Sequence, residues 1–180
     1  MSDTLTDQFK AGFRRYPTGV AVVAASTETG PVGATVSSVA SVSANPPMLS
    51  FSVSRSGRSG PALTGSDRLA VHVLTASQAD LAAAFADRTA PRFTAEQGWT
   101  LPEGRPPILD DAAVSFSGQV VRVVPAGEAW LVLLAVDTID LGESTDPLLH
   151  HDRRYRSLGP SVGTAPSTVP LDRILPERAS

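Results

Sequence analysis

The chain has 180 residues, 42% of them hydrophobic, and a formal net charge of −3 with acidic and basic residues interspersed. That length favours one domain around one core, and the charge pattern offers no basic footprint for nucleic acid. With no cysteine, disulfides and thiolate metal sites are excluded, which fits a reducing, cytoplasmic setting.

The first segment, Met1 to Tyr16, carries Asp3, Asp7, Lys10, Arg14 and Arg15 and has no apolar run, so it is not a signal peptide. Leu5, Phe9, Gly12 and Phe13, with Lys10, Arg14 and Arg15 beside them, predict a short amphipathic helix. Pro17 stops it, because the residue before a proline is pushed out of helical space. Gly19 to Ala25 is apolar and valine-rich and reads as a buried strand. Glu28-Thr29-Gly30-Pro31 is a turn, and Val32 to Ser43 reads as one strand with two different faces.

Pro46-Pro47 breaks the chain before a strand over Met48 to Val53. A polar loop, Ser54 to Gly60, leads to one helical turn over Pro61 to Thr64. Arg68 to Leu74 alternates, with Leu69, Val71 and Val73 on one face and Ala70, His72 and Leu74 on the other. Ser77 to Phe85 predicts a helix capped by Ser77. The proline-rich stretch from Arg88 to Asp111 reads as an irregular excursion ordered around Phe93 and Trp99. Val114 to Val124 and Ala129 to Ile139 are two long strands around a Pro125-Ala126-Gly127 turn, and Leu148 to Arg156 is a last strand. The apolar run Ala129 to Val136 is too short to span a bilayer, so no membrane partner is expected. Strands outnumber helices, which argues for an antiparallel barrel rather than a parallel α/β sheet. One domain over residues 1–160 is expected, followed by an extended or disordered arm over 161–180.

Three segments offer chemistry. Gly33 to Ser43 sets five hydroxyl residues among small apolar ones. Such a strand lets a flat ligand approach the backbone, though an ordinary polar strand face has the same composition. Ser52 to Ser59 places Arg55, Arg58, several serines and Gly57 in a loop after a strand. That mixture suits a phosphate monoester, or else a solvated basic turn. Pro147 to Tyr155 holds the adjacent His150 and His151. On a strand, neighbours face opposite ways, so the pair does not chelate one ion and no metal is expected. On the same strand His151 and Tyr155 share a face that suits a nicotinamide ring, or simply packs the barrel end.

Nucleotide fingerprints are missing: there is no Gly-x-Gly-x-x-Gly after a strand and no Walker motif. Gly159-Pro160-Ser161-Val162-Gly163 spells a hydrolase elbow, but no helix-forming segment or histidine follows it, so it is a chance match. Asp110-Asp111 is a solvated turn.

The stretches FRRYPTGVAVVAA (Phe13 to Ala25), GATVSSVASVSANPPMLSFSVSRSGRS (Gly33 to Ser59) and RLAVHVLTASQADLAAAFA (Arg68 to Ala86) come in that order. They are followed by Arg92-Phe93, Gly98-Trp99 and PLLHHDRRYR (Pro147 to Arg156). Together these resemble the flavin reductase-like family, whose fold is the FMN-binding split barrel and which includes reductase partners of two-component flavin-dependent monooxygenases.

The resemblance implies a mainly β, antiparallel Greek-key split barrel with a few peripheral helices, forming a homodimer. The cofactor it implies is FMN, with FAD as the alternative, and the co-substrate is NADH or NADPH. By position, Thr35, Val36, Ser37 and Ser38 line the isoalloxazine. Ser52, Arg55, Arg58 and Ser59 hold the ribityl phosphate, with Ser54 of the same loop among the cofactor-binding residues. Phe93 packs near the flavin. His151, taken as the catalytic position, and Tyr155 lie where the nicotinamide stacks. Three positions depart from the family pattern: Ser37 replaces a frequent asparagine, His150 a common tyrosine, and Gly60 a bulkier residue. The expected activity is hydride transfer from a nicotinamide to FMN, with reduced flavin passed to an oxygenase. The alternatives are an FMN-dependent oxidoreductase of a small organic substrate without flavin release, and a non-catalytic FMN carrier.

Overall fold

Thr4 starts the first helix: its hydroxyl oxygen accepts the Asp7 backbone N–H at 3.3 Å, satisfying one of the free donors of the first turn. The computed structural model describes residues 4–143 and 146–159, so the expected arm over 161–180 and most of the elbow pattern lie outside the described residues. Helix α1 spans Leu5–Arg14 and ends just before Pro17, and it buries none of its side chains.

Strands β1 (Thr18–Gly19), β2 (Ala21–Thr27), β3 (Gly30–Val36), β4 (Ala40–Ala44) and β5 (Pro47–Ser54) follow. After helix α2 (Ser59–Thr64) come β6 (Arg68–Val73) and helix α3 (Ala79–Ala86). Two short strands, β7 (Trp99–Thr100) and β8 (Ile108–Leu109), pair within the excursion. The long hairpin β9 (Val114–Ala126) and β10 (Ala129–Leu141) comes next, then β11 (Leu149–His151) and β12 (Arg154–Arg156).

Seven strands form one sheet in the order β3-β2-β6-β9-β10-β5-β4, and every neighbouring pair is antiparallel. The sheet curls around Val23, Val36, Phe51, Leu69, Val71 and Leu134, which form one buried cluster. This is a mainly β split barrel, and its seam lies between β3 and β5. There the Ser38 hydroxyl bridges the gap, accepting the Ser52 N–H at 2.8 Å and donating to the Ser52 carbonyl at 3.2 Å. A second apolar cluster lies outside the barrel, where Val20, Val22 and Leu74 meet Leu81 and Phe85 of α3 and Leu148. Strand β2 is therefore buried on both faces, which explains why its sequence is continuously apolar rather than alternating. On the same outer face, His72 is 1% exposed. Its Nε2 lies 3.0 Å from the Pro107 carbonyl and its Nδ1 2.8 Å from the Ser115 hydroxyl. A carbonyl only accepts, so Nε2 carries the proton and Nδ1 accepts from Ser115. Burial pushes the His72 imidazole down to about 4.

Several expectations are corrected. The strand expected over Val32 to Ser43 is two strands, because Ser37 to Val39 leave the ladder and Ser38 spends its hydroxyl on the seam. The single last strand over Leu148 to Arg156 is a hairpin, turning at Asp152 and Arg153 with φ of 48° and 61°. His151 and Tyr155 thus lie on different strands and do not share a face in the way expected. Tyr155 instead opposes His150, with ring centroids 6.1 Å apart. Ahead of α3 a short 3-10 turn, Ala76–Gln78, is capped by Thr75 in a reciprocal capping box with Gln78, two residues before the expected Ser77. No helix among the described residues is long and apolar enough to cross a membrane.

Candidate functional site

An open cleft of about 1040 Å³ lies along the outer side of β3, between the loop that follows β5 and the end of α3. One wall is β3 from Gly30 to Val36, the second is Ser52 to Gly60, and the third is Phe85 with Arg88, Arg92 and Phe93. The two segments singled out in the sequence, the small-residue strand and the arginine-serine loop, therefore face one another.

Alternation along β3 sets its wall. Val36 turns into the barrel core at 6% exposure, while Gly33 and Thr35 turn outward. The Thr35 hydroxyl donates to the Ala82 carbonyl of α3 at 2.7 Å, so it fixes the helix against the strand. Gly33 carries no Cβ, and one added there would lie 2.7 Å from Phe85 Cε1 and 3.0 Å from Phe93 Cζ. The aromatic wall closes this tightly only because position 33 is empty. Phe93 takes the left-handed backbone, φ 57°, a conformation rare without glycine. That places its ring 4.9 Å from Phe85 edge-on and 4.9 Å from Trp99.

The loop closes on itself. The Ser54 hydroxyl oxygen accepts the Ser56 N–H at 3.1 Å and lies 2.8 Å from the Ser56 hydroxyl. Gly60 packs so closely that a Cβ there would sit 2.0 Å from the Ser54 carbonyl oxygen. The departure noted at this position is thus what lets the loop fold tightly.

Arg92 joins the three walls. Its Nη1 donates to the Gly33 carbonyl at 2.8 Å and to Ser59 Oγ at 3.0 Å, its Nε to the Ala84 carbonyl at 3.4 Å, and its Nη2 to the Asp87 carbonyl. Burial pushes its guanidinium down, Asp87 opposes that, and neighbouring Arg58 adds to it. Arg58, Arg88 and Arg92 all line the cleft, and among the described residues no aspartate or glutamate does. The chain as a whole is net negative, so this cationic lining is a local feature whose charge suits an anion.

Of the expected site residues, Thr35, Val36, Ser52, Ser54, Arg58, Ser59 and Phe93 line the cleft. Ser37 and Ser38 do not, the latter being held in the seam. Arg55 does not either. Its guanidinium lies 4.6 Å over the Trp130 ring and donates to the Gly127 carbonyl at 3.2 Å, on the β9–β10 turn. His151 and Tyr155 lie on the β11–β12 hairpin and line no part of this cleft. Burial pushes the Tyr155 phenol up. Arg88 and Arg92 also line the cleft although the sequence reading did not assign them to the site; the Arg92-Phe93 pair was the available signal.

The donor set fits a flavin mononucleotide. Guanidiniums and serine hydroxyls suit a phosphate monoester, and Gly33, Ala34 and the flanking rings suit a flat heterocycle.

The fold and this cleft define a flavoprotein of the split-barrel class. The flavin reductase-like domain model matches residues 13–159, and the chain belongs to that family. An NADH:FMN oxidoreductase from Rhodococcus qingshengii is 34% identical over 151 residues, covering 82% of this chain and 79% of that protein. The crystal structure of a flavin reductase domain protein from Arthrobacter sp. FB24 superposes with a TM-score of 0.82 at 34% identity, covering 89% of this chain and all (100%) of the other. The styrene monooxygenase flavin reductase from Pseudomonas putida S12 superposes with a TM-score of 0.77 at 29% identity, covering 86% and 99% of the two chains.

Proposed function

We propose that the chain is an NADH-dependent FMN reductase that supplies reduced flavin to a partner monooxygenase. The observation that carries this reading is the cleft with three arginines, no carboxylate among the described residues and one wall of small residues. The family match and the relatives above support it. Bound FMN supplies the hydride acceptor, and NADH supplies the hydride. The protein's part is to bind and orient. Arg58, Ser59 and the loop backbone hold the phosphate, Gly33 to Thr35 present the backbone to the ring, and Phe85 and Phe93 shield it from water. Hydride transfer needs no general base.

For the nicotinamide end we propose the β11–β12 hairpin, with half-buried His151 on one face of it and Tyr155, paired with His150, on the other. We further propose that the chain pairs with a second copy. Leu5, Phe9 and Phe13 of α1 are 83%, 65% and 58% exposed, an apolar face that covering would stabilise. The same reading puts the protein in the cytoplasm, where NADH and flavin are both available.

The test is NADH oxidation with free FMN as the sole acceptor. Turnover that scales with added FMN supports a diffusible-flavin reductase. NADH consumed only with an organic substrate, or not at all, favours the oxidoreductase or carrier readings instead.

A further inference from the structure

Ser59 and Arg92 are linked in a way that the phosphate reading alone does not require. Arg92 Nη1 donates into Ser59 Oγ at 3.0 Å. A serine hydroxyl has one proton to give, and among the described residues no acceptor takes that of Ser59. Its oxygen is engaged from the arginine side, which leaves the proton free to serve an acceptor in the cleft that Ser59 lines. Arg92 itself is held on the backbone carbonyls of Gly33, Ala84 and Asp87. Its hydrogen-bond acceptors among the described residues are three backbone carbonyls and one hydroxyl, none of them a carboxylate. A guanidinium held by backbone carbonyls is fixed in place, so its Nη1 donates to Ser59 in one set geometry.

We propose that Arg92 is a specificity-determining residue that acts through Ser59, aiming the hydroxyl as a donor and so selecting flavins that carry a phosphate over those that do not. This rests on the flavin-reductase reading of the cleft. Arg92 is a positioning residue here, since the contact to the ligand is made by Ser59.

The experiment compares FMN with riboflavin, which has the same ring and no phosphate, by fluorescence titration of the full-length protein. Wild type binds FMN tighter than riboflavin. Arg92→Ala and Ser59→Ala each weaken FMN about tenfold or more, the scale of a charge-assisted hydrogen bond, while riboflavin affinity stays nearly constant. The double variant is no worse than Arg92→Ala alone, because one relay has been cut twice. Should Arg92→Ala not fold, Ser59→Ala and Arg92→Lys carry the comparison: lysine keeps the charge but cannot bridge Gly33 and Ser59, so preference for FMN falls without vanishing. Equal loss for both flavins, strictly additive losses in the double variant, or no loss in Ser59→Ala overturns the relay. A wild type that binds neither flavin defeats the flavin-reductase reading itself, a different result from variants that match a flavin-binding wild type.

Discussion

Arg55 lies flat over Trp130, its guanidinium carbon 4.6 Å from the ring centroid, and its backbone N–H donates to the Glu128 carbonyl at 2.9 Å. The loop that follows β5 is thereby anchored at Arg55 to the β9–β10 turn. Arg55→Ala is expected to cost about 0.5–1 kcal/mol of stability, the range of an exposed cation–π contact, with FMN affinity little changed. Urea unfolding followed by Trp fluorescence, paired with FMN titration, checks both halves. A large loss of FMN affinity with unchanged stability would return Arg55 to the phosphate.

Gly60 packs against the Ser54 carbonyl with no room for a methyl group. Because the obstacle is backbone, Gly60→Ala forces the loop to open and should destabilise the fold by about 1–3 kcal/mol, the usual cost of overpacking. FMN binding weakens with it, since Ser54, Arg58 and Ser59 share that loop. Thermal denaturation and FMN titration of the variant read the two effects together.

Stability should also depend on His72. Its folded value, about 4, lies below the ordinary 6.5, so the unfolded chain takes up the proton first as pH falls. Neutral His72 therefore contributes fully above about pH 6.5, and its contribution declines toward pH 4, by ~3 kcal/mol in all at 1.36 kcal/mol per unit. Chemical denaturation at a series of pH values should show this slope, and His72→Asn should remove it. A wild-type curve flat between pH 6.5 and 4 would contradict the assignment.

At the nicotinamide end, His151→Ala is expected to raise the KM for NADH with little effect on FMN affinity, because His151 does not line the FMN cleft. Steady-state kinetics with NADH varied at saturating FMN decide this, and an unaltered KM removes His151 from the site.

Much of this fold was legible where one physical signal dominated. The alternation of Leu69 and Val71 against Ala70 and His72 marked β6, and the continuous valines of β2 marked a buried strand. What escaped was tertiary in origin. Ser38 looks like any strand serine, and only the nearness of β5 makes it a seam bridge. The turn at Asp152-Arg153 carries no glycine or proline, so the β11–β12 hairpin resembled one strand, and the pairing of Tyr155 with His150 could not be read. At the site, the loop arginines were visible as a cluster, but which of them face the cleft depends on Trp130 capturing Arg55. Arg92 lay in a proline-rich excursion whose path no local pattern fixes.

The central claim is that one cleft holds the flavin by its phosphate. A crystal structure of the protein with FMN tests it most directly. The account predicts the phosphate within hydrogen-bond reach of Ser59 and Arg58, with the ring against Gly33 to Thr35. A flavin bound elsewhere, or a phosphate facing solvent with Arg58 and Ser59 untouched, would contradict it.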